Sequence, residues 1–205
     1  MGASSIRKFW QLLQGTVHPV DQPILNLYPD VFDLQFPPPA FIGDIDNAPV
    51  VILLGNGGYD PLTTPSEFPS QSDHDEHIDW LKGERLDPPK NLAAYYTNKK
   101  LFPLVKEGNV VYVNAVAYRK KKITQTVRSL AKRLPSTDVH KKWMWDELFP
   151  AAARGERLVI AHRYALWDLD SKAKAPVANL HFSKCPASEH LDGEAQFAID
   201  AFLRK

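Results

Sequence analysis

The chain has one cysteine, Cys185, in 205 residues. That excludes an internal disulfide, a four-cysteine zinc site and an iron–sulfur cluster held by this chain alone. It suits a reducing, cytoplasmic setting. Net charge is almost absent as well: 25 Lys and Arg stand against 24 Asp and Glu, leaving +1. No global field then draws the molecule to nucleic acid or membrane, and any polyanion site must come from local clustering. Long apolar runs are missing too, and none approaches the ~20 residues that a membrane span needs. At the N-terminus Arg7 and Lys8 lead only into Phe9-Trp10-Gln11-Leu12-Leu13, which is too short for a signal-peptide core. The Gly2 context carries Ile6 where a myristoylation pattern needs Ser or Thr.

Proline is abundant. There are 17, many in Pro37-Pro38-Pro39 and at Pro61, Pro65, Pro69, Pro88 and Pro89. Such spacing predicts long ordered loops, which on a rigid α/β frame commonly carry function. With 44% hydrophobic and 24% charged residues, the composition is that of one globular domain spanning 1–205. Its first 48 residues are expected to form a short helix followed by a proline-rich packing segment.

Pro49-Val50-Val51-Ile52-Leu53-Leu54 is continuously apolar and then meets Gly55-Asn56-Gly57-Gly58-Tyr59-Asp60-Pro61. The apolar part predicts a strand buried on both faces, hence a parallel sheet with helices above and below. The glycines end it and would let a ligand approach the backbone closely. Val110-Val111-Tyr112-Val113-Asn114-Ala115-Val116 predicts a second buried strand, 157–161 a third and 177–182 a fourth. Helices are predicted over about 6–13 (capped by Ser5), 73–81 (capped by Ser72), 123–134, 137–153 and 194–203. An apolar stripe over 92–105 has roughly helical spacing. On the last helix Phe197, Ala198, Ala201 and Phe202 are expected to face inward. Trp10, Trp143, Trp145 and Trp167 are expected to pack between elements. The alternation predicts a three-layer α/β/α sandwich around a mostly parallel four-stranded sheet.

In such a sheet every parallel strand opens its carboxyl end on one edge, where ligands bind. That edge would carry Asn56, Asn114, His162 with Arg163, and His181 with Ser183. An amide such as Asn114 presents donor and acceptor together, which suits the edge of a nucleobase; it would equally suit tying down a loop. Arg119-Lys120-Lys121-Lys122 follows the second strand, a candidate phosphate contact or simply a solvated helix start. Asp73-His74-Asp75-Glu76-His77 has metal-binding residue types, but its spacing specifies no metal site and fits an exposed acidic helix start.

Three of these segments, in order, resemble the uracil-DNA glycosylase superfamily. Gly108 to Val116 resembles the strand ending in that family's base-reading Asn-Ala-Val. Val51 to Tyr59 is similar to its water-activating motif, with Asn56-Gly57-Gly58 standing where the mismatch-specific and single-strand-selective branches have Asn-Pro-Gly. Leu180-His181-Phe182-Ser183-Lys184-Cys185-Pro186-Ala187-Ser188 resembles its His-Pro-Ser element, without proline directly after His181. The likeness spans about residues 40–205.

The resemblance implies a DNA-repair N-glycosylase that extrudes uracil or a related deaminated base and works as a monomer without metal or organic cofactor. Asn56 would hold water, Asn114 would read the base, and His181 would stabilise the leaving base. Tyr59, Gly55, Gly57, Gly58 and Ser183 would line its pocket, with His162, Arg163 and Asp60 nearby. Arg119, Lys120, Lys121 and Lys184 would meet the DNA backbone. No carboxylate occupies the water-activating position, so general-base assistance worth about 10²–10⁴-fold is absent there. A nucleobase- or nucleic-acid-binding protein on the same frame is the alternative, and a small-molecule enzyme using His162 or His181 a third. The glycosylase reading requires Asn56, Asn114 and His181 to meet at one base-sized slot.

Overall fold

The computed structural model describes residues 3–85, 87–97, 100–170, 177–185 and 190–204. Helix α1 (Ser5–Trp10) is followed by α2 (Gln22–Asn26) and the two-residue strand β1 (Phe41–Ile42). Strand β2 (Val50–Asn56) leads through α3 (Thr64–Glu67), α4 (Gln71–Lys82), α5 (Ala94–Thr97) and α6 (Phe102–Lys106) to β3 (Val110–Val116). Then come α7 (Gln125–Ala131), α8 (Pro135–Trp143), α9 (Phe149–Ala153), β4 (Leu158–Ala161), β5 (Leu180–Phe182) and α10 (Gly193–Leu203).

Among the described residues the strands form one sheet in the order β1-β3-β2-β4-β5. The four anticipated strands are present and mutually parallel, and β1 adds an antiparallel edge through Phe41–Val113 and Ile42–Tyr112. Two bonded residues in a proline-rich segment leave no periodicity to detect, which is why sequence spacing missed the fifth strand. Val50, Val51, Ile52 and Leu53 of the central β2 are wholly buried, as the unbroken apolar run requires. Each such side chain contributes about 1.5–3 kcal/mol of burial.

Alternate residues feed two cores. Val51, Leu53, Val111, Val113 and Val159 pack with Ile6, Trp10, Leu130, Trp143 and Phe149 on one face. Val50, Ile52, Val110, Tyr112 and Ile160 pack with Trp80, Tyr96, Val105 and Ile199 on the other.

Several boundaries differ from expectation. Ser4, not Ser5, caps α1. Helix α4 starts two residues early because Ser70 and Asp73 form a reciprocal capping box, displacing Ser72 from the cap. The 137–153 helix is divided by a π turn at Met144–Leu148, just before Pro150, which has no N–H with which to continue the ladder. The 92–105 stripe forms two short helices, α5 and α6. On α10 Ala195 and Ile199 are buried and the expected Ala198 and Phe202 pack partly buried against the same core, whereas Phe197 is 74% exposed and Ala201 is exposed. Trp10, Trp143 and Trp167 are core residues, whereas Trp145 is half exposed. No helix of the described residues is long and apolar enough to cross a membrane.

Candidate functional site

The chain turns leftward from β2 to β3 and then crosses to β4, so the sheet order reverses between β2 and β4. A crevice opens outside the carboxyl ends at such a switch point. Here it is a cavity of about 690 Å³. It is lined by Gly55 to Asp60, at and after the end of β2, and by Arg163 to Leu166 after β4. The backbone N–H groups of His162 and Arg163 both donate to the Leu53 carbonyl at 3.1 Å, and Trp167 Nε1 donates to the Leu54 carbonyl at 2.6 Å. These bonds fold the 3₁₀ turn Tyr164–Trp167 back over the end of β2.

Of the residues singled out from sequence, Gly55, Asn56, Gly57, Gly58, Tyr59, Asp60, Arg119, Lys121 and Arg163 line this cavity. Their roles differ from expectation. The Asn56 amide donates to the Lys120 carbonyl at 2.8 Å, fastening the two loops together. Gly57 accommodates the chain itself: a Cβ there would lie 2.1 Å from Pro39 Cγ. The close approach that its missing side chain permits is therefore to the proline segment. Asp60 Oδ1 accepts the Leu62 and Thr63 N–H groups, which hold its carboxyl below the ordinary range. This places a carboxylate in the cavity lining, already engaged in shaping its own loop.

Asn114 is fully buried behind the cavity, two rungs deeper than Asn56, opposite Leu54. Its Nδ2 donates to the Pro39 carbonyl at 2.6 Å and to the Tyr96 hydroxyl at 3.1 Å. Its Oδ1 is buried without a hydrogen-bond partner among the described residues. Asn114 therefore supports the wall, and Tyr96 is the group that lines the cavity. The Asn114 backbone carbonyl accepts from His140 Nδ1 at 2.7 Å. The other ring nitrogen of His140 accepts from Trp10 Nε1 at 2.8 Å, and burial pushes this imidazole down to about 4. It is a neutral connector between α1 and β3.

His181 does not join the site. It pairs in register with Ile160, which pairs with Ile52, so it lies two rungs below the level of Leu54. It is exposed and opens on a separate groove beside Asn179, Phe197 and Phe202. Ser183 is buried with its hydroxyl donating to Asp192 at 2.9 Å. Pro186, Ala187 and Ser188 of the third motif lie outside the described residues. Asn56, Asn114 and His181 thus do not meet at one slot, because β5 is short and His181 is mid-strand, not at its end.

The basic run also divides. Arg119 is only 3% exposed. Its fork donates to both Glu67 oxygens at 3.3 and 3.0 Å, its Nε donates to the Pro37 carbonyl at 3.1 Å, and its plane lies over Phe68. A backbone bridge to Asp33 holds it there. It is therefore unsuited to meet a DNA phosphate. Lys120 Nζ donates to the Asp30 carbonyl and pairs with Asp33 at 3.8 Å. Lys121 is exposed at the cavity mouth. Lys184 is exposed but pairs with Glu194.

Sequence reasoning missed Glu67, Tyr95, Tyr96, Arg128 and Tyr164, all of which line the cavity. Glu67 sits in the wall with its partner Arg119. Burial raises its carboxyl above the ordinary range, although the guanidinium and a backbone hydrogen bond from Ala93 pull the other way. The available signal was a lone carboxylate within the Pro/Ser/Thr-rich stretch 61–70. His77 is buried against Phe68, donates from Nδ1 to the Asp73 carbonyl, and is pushed down to about 4 by burial. It belongs to the packing of α4, away from any exposed metal cluster.

Compared with known proteins, the chain matches no family model, no curated protein and no solved structure.

Proposed function

We propose that the switch-point cavity receives one nucleotide of a nucleic-acid strand, and that the chain is a nucleobase-binding protein on a uracil-DNA-glycosylase-like frame. The observation that carries this reading is the lining itself. Tyr59, Tyr95, Tyr96 and Tyr164 offer flat aromatic surface, while Lys121 and Arg128 outnumber Asp60 once the Glu67–Arg119 pair is set aside as neutral. The volume lies within the roughly 300–1,000 Å³ of small-ligand sites. Stacking on an aromatic side chain is worth about 1–3 kcal/mol per base, and cationic rims attract the flanking phosphates. The near-neutral total charge makes this rim, not a global field, the source of any attraction to a polyanion.

The experiment is fluorescence anisotropy with a labelled single-stranded oligonucleotide at increasing salt. Binding should weaken as salt rises, with a log–log slope of about −0.7 per phosphate contact. Lys121→Glu with Arg128→Glu should weaken it at least tenfold, and Lys184→Glu, remote from the cavity, should not. Absence of salt-dependent binding, or equal loss in both variants, rejects the reading.

Base excision is a second reading, favoured by one observation: Glu67 supplies the cavity wall with the carboxylate that the first motif lacks. It predicts alkali-labile strand breakage in a uracil-containing oligonucleotide, lost in Glu67→Gln. Binding without breakage leaves the first reading standing alone.

A further inference from the structure

Tyr96 combines burial, at 4% exposed, with a place in the cavity lining. Its hydroxyl oxygen accepts from Asn114 Nδ2. The amide cannot be reversed, because Oδ1 would then face the Pro39 carbonyl oxygen at 2.6 Å. Asn114 must therefore present N–H to the phenol, and the phenol must use a lone pair to receive it. A phenol has one proton. Among the described residues no acceptor receives it.

A buried hydroxyl proton without an acceptor costs about 1–3 kcal/mol. The hydroxyl end feels the charges of Arg119 and Glu67, both of which line the same cavity, and burial raises its ionisation well above the ordinary phenol range. At any physiological pH it therefore keeps its proton to offer to a ligand, held in place by Asn114 behind and by the Tyr112 ring at 5.8 Å. A buried donor of fixed sense selects strongly, since a ligand without a matching acceptor leaves it unpaired.

We infer that the Tyr96 hydroxyl is the specificity-determining group of this cavity, donating to a carbonyl oxygen on the edge of the inserted base, with Asn114 as the positioning residue that fixes its direction. The favoured ligands are bases that present an exocyclic carbonyl oxygen at that edge, over isosteres of the same shape that accept poorly. This inference rests on the nucleotide-binding reading and assigns its selectivity.

The test uses the full chain and three single-stranded oligonucleotides, identical except for one central position: uracil, a difluorobenzene isostere of the same outline, or an abasic site. The wild type should bind the uracil strand about tenfold or more tightly than the isostere strand, and the isostere strand more tightly than the abasic one. Tyr96→Phe should abolish the uracil-over-isostere preference, with the melting temperature nearly unchanged. Asn114→Ala should also reduce the preference, through a hydroxyl no longer held. A Tyr96→Phe protein that keeps the full uracil preference overturns the inference and leaves nucleotide binding intact. A wild type that binds all three strands equally overturns base insertion itself, and the inference with it.

Discussion

Acidification tests the buried hydrogen-bond chain that joins α1 to the sheet. His140 accepts from Trp10 and donates to the Asn114 carbonyl, and its imidazole is held neutral by burial, at about 4 against an ordinary 6.5. Between those two values the unfolded chain takes up a proton at this residue and the folded chain does not. Stability therefore falls as pH drops from 6.5 towards 4, by about 1.4 kcal/mol per pH unit and by roughly 3 kcal/mol in all. Protonation also removes the acceptor for the Trp10 N–H. Gln at position 140 can still accept from Trp10, but it neither titrates nor keeps the bond to Asn114. At neutral pH His140→Gln should therefore cost about 1–3 kcal/mol.

The decisive quantity is the difference between the wild type and this variant, in which the other titrating groups, His77 included, cancel. Urea unfolding followed by tryptophan fluorescence at pH 7.5, 6.5, 5.5 and 4.5 gives that difference by linear extrapolation. The gap should be constant from 7.5 to about 6.5 and then narrow by about 2–3 kcal/mol by pH 4.5. A gap that stays constant throughout would refute the assignment of His140 as a buried neutral connector.

Other perturbations have equally definite outcomes. Gly57→Ala should destabilise by about 1–3 kcal/mol, because its methyl would displace Pro39, whereas Gly58→Ala in the same loop meets nothing within 4 Å and should be near neutral; paired thermal melts compare them. Glu67→Gln strands the buried Arg119 charge and should cost about 3–5 kcal/mol, with Glu67→Gln/Arg119→Met recovering part of it in a double-mutant cycle. Tyr118→Phe removes the 2.7 Å donation to the wholly buried Asp21 and should cost about 1–3 kcal/mol in urea unfolding.

The apolar run at 50–54 and its counterpart at 110–116 were legible as buried parallel strands because burial on both faces leaves a continuous local signature. The same reasoning pointed to the sheet edge where the cavity opens, since strand polarity alone says where carboxyl ends lie. The occupants of that edge were less legible. His181 looked like a strand-end residue because nothing local reveals the pairing register, which sets it beside Ile160 and level with Ile52. Arg119 looked like the first of four solvated cations, yet Glu67, 52 residues away, pulls it inward. Asn114 was expected to face a ligand, and a proline carbonyl 75 residues upstream takes its amide instead.

From sequence alone follow the α/β class, the parallel strands, the exclusion of disulfide chemistry and the loop after Leu54 as the place to look. These depend on composition and short-range periodicity, which need no knowledge of distant neighbours. Tertiary structure alone decided which polar groups face the cavity and which are consumed in holding it open. A buried donor or acceptor is satisfied by whatever group the fold brings within about 3 Å, and in this chain those partners lie tens of residues apart.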